Sequence, residues 1–234
     1  MQISLSVPHG FSTIAVISDL HANGPATEAV FEELPADAYV VCLGDLVGYY
    51  TEPDEVCRKV QSRAHVTIRG NHDAYVIGVL EYPGAKEDDY RIEWTRSRLT
   101  QPMLDWLSTL PIQVTLALDE SRKLIVRHAN LENETDYIYP DTPCADLSLA
   151  DGETLLIGHT HHPMLRECGK GRIVNPGSVG QPRNYRPGAA YALIDRATGD
   201  VSFEMAAYDI QNYQTALHRS GISEKFVSML DRRK

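Results

Sequence analysis

The first half of the chain alternates short apolar runs with amphipathic helical stretches. Thr13 to Ser18 (TIAVIS) reads as a buried strand and Pro25 to Leu34 as a helix with proline near its first turn. Tyr39 to Leu43 is a second strand, Pro53 to Arg63 a second helix and His65 to Arg69 a third strand. This order predicts parallel strands joined by helical crossovers. From Glu87 to Leu110 the pattern is helical with a break at Pro102. It is charged at first and then carries Trp94, Leu99, Leu104, Trp106 and Leu107. Residues 81–110 are read as a helical insertion or cap.

The second half returns to strands. Ile112 to Leu118 and Lys123 to Arg127 predict a hairpin around Asp119-Glu120-Ser121. Thr154 to Ile157, Pro163 to Glu167, Arg172 to Val174, Ala189 to Asp195 and Val201 to Ala207 predict further strands, several of them antiparallel. The tail from Ile210 is helical by period. There is no internal repeat, low-complexity tract or Pro/Gly-rich linker, so residues 1–234 read as one domain built on two sheets.

Composition adds limits. Among 234 residues, 43% are hydrophobic and 23% charged, which permits an ordinary globular core. The net charge of -10, with no basic stripe, excludes long duplex nucleic acid as an expected partner. A small anionic substrate stays admissible, because bound metal ions can reverse the local field. The cysteines, Cys42, Cys57, Cys144 and Cys168, form no C-x-x-C pair, and all four are expected to be reduced thiols. No apolar run approaches the ~18 residues of a membrane span, and the N-terminus lacks a signal-peptide pattern. A soluble cytoplasmic protein is expected, with a homo-oligomer left open.

The strand ends carry the chemistry. Asp19-Leu20-His21 follows the first strand, Gly44-Asp45 the second and Gly70-Asn71-His72-Asp73 the third. His128 follows Lys123 to Arg127, and Gly158-His159-Thr160-His161 follows Thr154 to Ile157. Ligands bind at the carboxyl ends of parallel strands in open α/β sheets. Residues at i and i+2 of an extended segment share a face, so Asp19 with His21, and His159 with His161, can converge. Gly44, Gly70 and Gly158 stand where a Cβ would crowd the turn. Turn or cap roles explain a single Asp or Asn here, but not four histidines in register. Imidazole with carboxylate suits manganese, iron or zinc better than calcium. Seven donors suit two ions sharing a carboxylate bridge, for which Asp45 is the natural choice. Two divalent ions bring four positive charges and Asp19 and Asp45 return two, so the site attracts a phosphoryl group.

These motifs in this order resemble the calcineurin-like metallophosphoesterase superfamily. The run Asn175-Pro176-Gly177-Ser178-Val179-Gly180-Gln181-Pro182-Arg183 resembles its small bacterial and archaeal phosphodiesterase branch. The resemblance implies two mixed β-sheets packed face to face with helices on both outer faces, an α/β/β/α sandwich. It implies two divalent metal ions, manganese first, with iron, zinc or nickel as alternatives. Asp19, His21, Asp45 and His161 would hold the first, and Asp45, Asn71, His128 and His159 the second. His72 would contact the scissile phosphate and assist the leaving group after attack by a metal-bridging hydroxide. The expected substrate is a small phosphodiester, with a phosphomonoester or dinucleoside polyphosphate as alternatives and a metal-binding interaction scaffold as the reading from another class. Two departures are visible. Ala129 follows His128 where the family usually has Gly, and Gly44-Asp45-Leu46-Val47-Gly48 replaces the protein-phosphatase motif Gly-Asp-x-x-Asp-Arg-Gly, which removes an acidic partner for His72.

Weaker expectations attach to neighbours. Asn23 is either a phosphate contact or a helix cap, and Asn175 and Ser178 are candidate supports for the ligands or contacts to substrate. Arg183 is a candidate phosphate fork. Tyr49, Tyr50 and Tyr185 are candidates for a ring-binding cleft. Asp73 reads as an early helix residue.

Overall fold

In the computed structural model, which describes residues 3–82, 84–144, 147 and 149–232, the apolar runs become the strands of two mixed sheets. In chain order the first half contains β1 (Ile3–Ser6), β2 (Thr13–Ile17), α1 (Gly24–Glu33), β3 (Ala38–Cys42), α2 (Pro53–Arg63), β4 (Val66–Thr67) and α3 (Asn71–Val76). Then follow α4 (Glu87–Tyr90), α5 (Ile92–Arg98) and α6 (Gln101–Thr109). The second half contains β5 (Gln113–Ala117), β6 (Lys123–Arg127), β7 (Glu153–Leu156), β8 (Met164–Cys168), β9 (Gly171–Asn175), β10 (Ala189–Asp195) and β11 (Val201–Ala206). It ends with α7 (Ile210–Arg219) and α8 (Glu224–Val227).

One sheet has the order β11-β10-β2-β3-β4, with β2, β3 and β4 parallel and β10 and β11 antiparallel. The other has the order β1-β5-β6-β7-β9-β8, in which β6, β7 and β9 run parallel. Period-two alternation explains how they stack. Ile14, Val16, Tyr39 and Val41 turn inward to meet Val114, Leu116, Leu124, Val126, Leu156 and Val174 in one apolar layer. The intervening Ala15, Ile17, Val40 and Cys42 face outward onto α1, α2, α5 and α6. Residues on both faces of β2 and β3 are therefore buried, as a continuous apolar run requires.

Two differences from the expected elements have physical causes. The helical region 87–110 breaks at a left-handed Arg91 and again at Leu99-Thr100, and Pro102 lies in the first turn of α6, where its missing N–H costs nothing. The edge strand β1 was not expected; its apolar residues are few, and it pairs in parallel with the distant β5. The two-sheet sandwich with flanking helices is the expected one. Among the described residues, the outer face of the six-stranded sheet is covered by the segment around Ile138, Leu147 and Leu149, packed on Leu155, Ile157, Met164 and Ile173.

The same segment corrects the thiol expectation. Cys144 and Cys168 are joined in a disulfide, with Cα atoms 5.4 Å apart, while Cys42 and Cys57 are free and buried. Only the packing of that segment on β8 brings the pair together, so spacing gave no sign of it. Among the described residues, no helix is long and apolar enough to cross a membrane.

Candidate active site

All five strand-end segments meet at one end of the sandwich. The turns after β2 and β3 are tied by backbone bonds from Asp19 N to Gly44 O (3.0 Å), His21 N to Asp45 O (3.0 Å) and Ala22 N to Leu46 O (2.8 Å). Within the second sheet Gly158 N meets His128 O (2.9 Å), and that sheet is tied to the first by His159 N to Asp19 Oδ2 (3.1 Å) and Gly180 N to Asp19 O (3.0 Å). The extended i, i+2 geometry expected for the ligand pairs is not what brings them together. Asp19, His21, Asp45, His159 and His161 instead adopt left-handed backbone, with φ of 55°, 50°, 53°, 65° and 63°. Such positions cost about 1 kcal/mol or more each and persist only where surrounding bonds over-determine them.

Each of the four candidate ligand histidines is anchored through one ring nitrogen on a backbone carbonyl. His21 Nδ1 meets Val47 O at 3.0 Å, His128 Nδ1 meets Leu43 O at 2.8 Å and His161 Nδ1 meets Gln181 O at 2.9 Å. His159 is anchored through Nε2, 2.9 Å from Thr135 O. A carbonyl can only accept, so the anchored nitrogen carries the proton and, in the neutral ring, the other offers a lone pair. Those free nitrogens share a common space. His21 Nε2 lies 3.0 Å from His161 Nε2, and Asp19 Oδ1 lies 3.4 Å from His161 Nε2. Asp45 Oδ2 is 3.3 Å from His128 Nε2 and 3.8 Å from His21 Nε2. Asn71 Oδ1 is 3.1 Å from His128 Nε2. Asp19, His21 and His161 form one group that can hold a metal ion, and Asp45, His128 and His159 form another. The donor set fits a divalent transition metal, since two imidazole nitrogens facing each other at 3.0 Å need a cation or a proton between them.

Glycine gives the carboxylates room. A Cβ on Gly70 would fall on Asp45 Oδ1 and Asp45 N, and one on Gly158 would stand 2.6 Å from Asp19 Oδ2.

His72 is buried beside the donors. Its backbone N–H donates to Asp45 Oδ1 at 2.8 Å. Its ring lies 5.0 Å from the Tyr49 ring in a stack and 4.5 Å from the Tyr90 ring. Nδ1 has no hydrogen-bond partner and packs against Gly48, where an added Cβ would collide with it.

Burial dominates the electrostatics. It pushes His72 and His159 down to about 4 and His21 well below its ordinary value, so these rings are neutral at pH 7. Burial also opposes ionisation of Asp19 and Asp45, yet the neighbouring histidines hold both well below the usual carboxylate range. For His128 burial opposes the charge, but Asp45 and Asp19 raise it to about 9. A raised imidazole stabilises the fold fully below its unfolded value near 6.5, and that contribution is lost as pH rises through 9. Asp73, pushed up to about 7 by burial and by Asp45, acts in the same direction between about 4 and 7. Metal-stripped protein should therefore lose up to about 3 kcal/mol of stability between pH 6.5 and 9. Manganese-loaded protein should not, because a ligating imidazole is already neutral. Thermal unfolding of both forms across that range checks this; parallel curves would discard the His128–Asp45 ion pair.

The neighbours divide. Asn23 is a helix cap with its side chain fully engaged: Oδ1 accepts from Ala26 N, and Nδ2 donates to Gly180 O and Tyr208 Oη. Ser178 Oγ donates to Asp19 O and accepts from Gln181 N, which braces the Asp19 turn. Asn175 Nδ2 donates to Gly158 O and Thr160 Oγ1, on either side of His159 in the chain. Arg183 bonds Gln181 Oε1 at 3.4 Å and keeps a buried Nε without a partner. Tyr50 is fully buried and Tyr185 lies under Arg232, so of the three tyrosines only Tyr49 adjoins His72. Asp73 does more than the sequence reading gave it. Its carboxylate accepts from Asp45 N, Leu46 N and Gly70 N, each at 2.9 Å. The signal was the capping-box spacing from Gly70 to Asp73.

Comparison with known proteins follows the same lines. Residues 13–199 match the model of the calcineurin-like phosphoesterase superfamily domain. An uncharacterised protein of Methanocaldococcus jannaschii is 29% identical over 91% of this chain and 95% of its own length. Phosphodiesterase YfcE of Escherichia coli is 27% identical over 76% of this chain and 84% of its own. The crystal structure of a metallophosphoesterase from Sphaerobacter thermophilus superposes with a TM-score of 0.78 at 28% identity, covering 95% of this chain and 99% of that one. The chain belongs to the calcineurin-like phosphoesterase superfamily and is a phosphoester hydrolase of the metal-dependent kind.

Proposed function

We propose that the protein is a dinuclear metal-dependent phosphodiesterase acting on a small phosphodiester. The observation that carries this reading is the set of four histidines, each anchored on a carbonyl through one nitrogen, with Asp45 within reach of both donor groups. Asp19, His21, Asp45 and His161 would hold one ion, and Asp45, Asn71, His128 and His159 the other. Two divalent ions held there would lower the pKa of bound water and supply positive charge to the phosphoryl oxygens.

The chain's own residues then do the rest. His72, with Nδ1 packed against Gly48, presents Nε2 to the phosphoryl group. An arriving phosphodiester brings a negative charge that favours the imidazolium, and Nε2 donates its proton to the departing oxygen. Tyr49 and Tyr90 wall this ring off from water. Arg183 offers its unpartnered Nε to a non-bridging oxygen. The 81–110 segment serves as a cap, since it supplies Tyr90. The diester preference draws on the E. coli relative named a phosphodiesterase and on the missing acidic partner at His72. A cytoplasmic location is part of the reading, and cell fractionation checks it against the Cys144–Cys168 bond.

The test strips the protein with chelator, restores manganese and compares bis-p-nitrophenyl phosphate with p-nitrophenyl phosphate. Manganese-dependent cleavage preferring the diester is expected. Monoester preference would make the protein a phosphatase. No turnover together with no bound metal would leave a scaffold role.

A further inference from the structure

The segment after His128 is built to hold two tyrosines beside the donor groups. Asn130 Oδ1 accepts from Glu132 N and Asn133 N, and Asn133 Oδ1 accepts from Thr135 N and Asp136 N, forming two successive side-chain turns. Arg127 fastens both turns by donating to Asn130 O and Asn133 O. Next comes Tyr137-Ile138-Tyr139, in which Ile138 is 3% exposed and docks on the six-stranded sheet, while the tyrosines are 44% and 39% exposed. Alternation thus puts both phenol rings on the outer side, stacked at 5.5 Å and 15°. The stack continues inward, because the Tyr137 ring lies 4.0 Å from the His159 ring at 20°. His159 is held in turn by Thr135 O from the same segment.

A pair of parallel aromatic rings left this exposed, and stacked on a residue of the second candidate donor group, offers apolar ring surface to a ligand. Arg183 and Tyr90 both lie near enough for their charges to act on Tyr137. The exposed Tyr139 ring thus ends a stack of three rings that begins at His159, one of the residues of the second candidate donor group.

We propose that Tyr137 and Tyr139 form a stacking subsite for a planar ring of the substrate, a nucleobase carried on the phosphodiester. This rests on the phosphodiesterase reading and narrows its substrate class. Stacking is worth about 1–3 kcal/mol per base, or roughly 5- to 100-fold in affinity. Phosphate and pentose alone cannot draw on it.

The test uses manganese-loaded full-length protein and two ligands that differ only by the base, adenosine 5′-phosphate and ribose 5-phosphate. Calorimetry should give about tenfold tighter binding of the nucleotide. Tyr139→Ala should reduce that ratio to below about twofold, and Tyr139→Phe should keep it. Equal affinities in the unmodified protein, or an equal loss on both ligands in Tyr139→Ala, would overturn the subsite. If diester turnover persists in that case, the phosphodiesterase reading survives alone. A manganese-loaded protein that binds neither ligand and cleaves no diester overturns both.

Discussion

Asp45→Asn should lower turnover of bis-p-nitrophenyl phosphate about a thousandfold, roughly 4 kcal/mol of barrier, while the protein stays folded. The two oxygens of Asp45 do different things. Oδ1 accepts the backbone N–H of His72, which an asparagine oxygen can still do. Oδ2 lies within 4 Å of His21 Nε2 and His128 Nε2, one from each side of the site. Replacing it with an amide nitrogen removes a negative charge and puts N–H donors where lone pairs are needed. The substitution is nearly isosteric, so unfolding does not explain the loss. Metal content by emission spectrometry should fall from about two ions per chain to about one. A variant with near-normal turnover and two bound ions would remove Asp45 from the bridging role.

Asp73→Ala should cost about 4 kcal/mol of stability, a fall in Tm of about 10 °C for a chain of this size, and with it most activity. The carboxylate is fully buried and accepts three backbone N–H groups. Removing it leaves those donors without an acceptor in the interior, each at about 1–3 kcal/mol. The loss is below the simple sum, because burial and the charge of Asp45 already hold Asp73 up to about 7. Two of the three donors belong to Asp45 and Leu46, so the carboxylate braces the left-handed turn at Asp45 that aims its side chain at the candidate donors. Asp73→Asn should fall between wild type and alanine, since one oxygen accepts but the amide faces an N–H. Chemical denaturation with the diester assay checks both. An alanine variant with unchanged midpoint would show that the three bonds are dispensable.

What the sequence determined was the frame and the donors. The apolar runs from Thr13, Tyr39, Lys123 and Thr154 could only be strands, because both of their faces are apolar or alternate with period two. Asp19, His21, Asp45, His128, His159 and His161 stand at the ends of those strands and Asn71 after the strand from His65, so knowing the strands was enough to gather these candidate donors. The backbone that aims them was not legible, since left-handed φ at Asp, His and Asp again is imposed by bonds from segments far along the chain. Asp73 had a local signal but a non-local purpose, since Asp45 is 28 positions away. The Cys144–Cys168 bond, the cover of the six-stranded sheet and the Tyr137 stack on His159 all depend on where the segment after β6 packs. That segment has no hydrophobic period to announce its position. Local periodicity writes the elements into the sequence, whereas contacts between distant segments arise only once the two sheets have closed on each other.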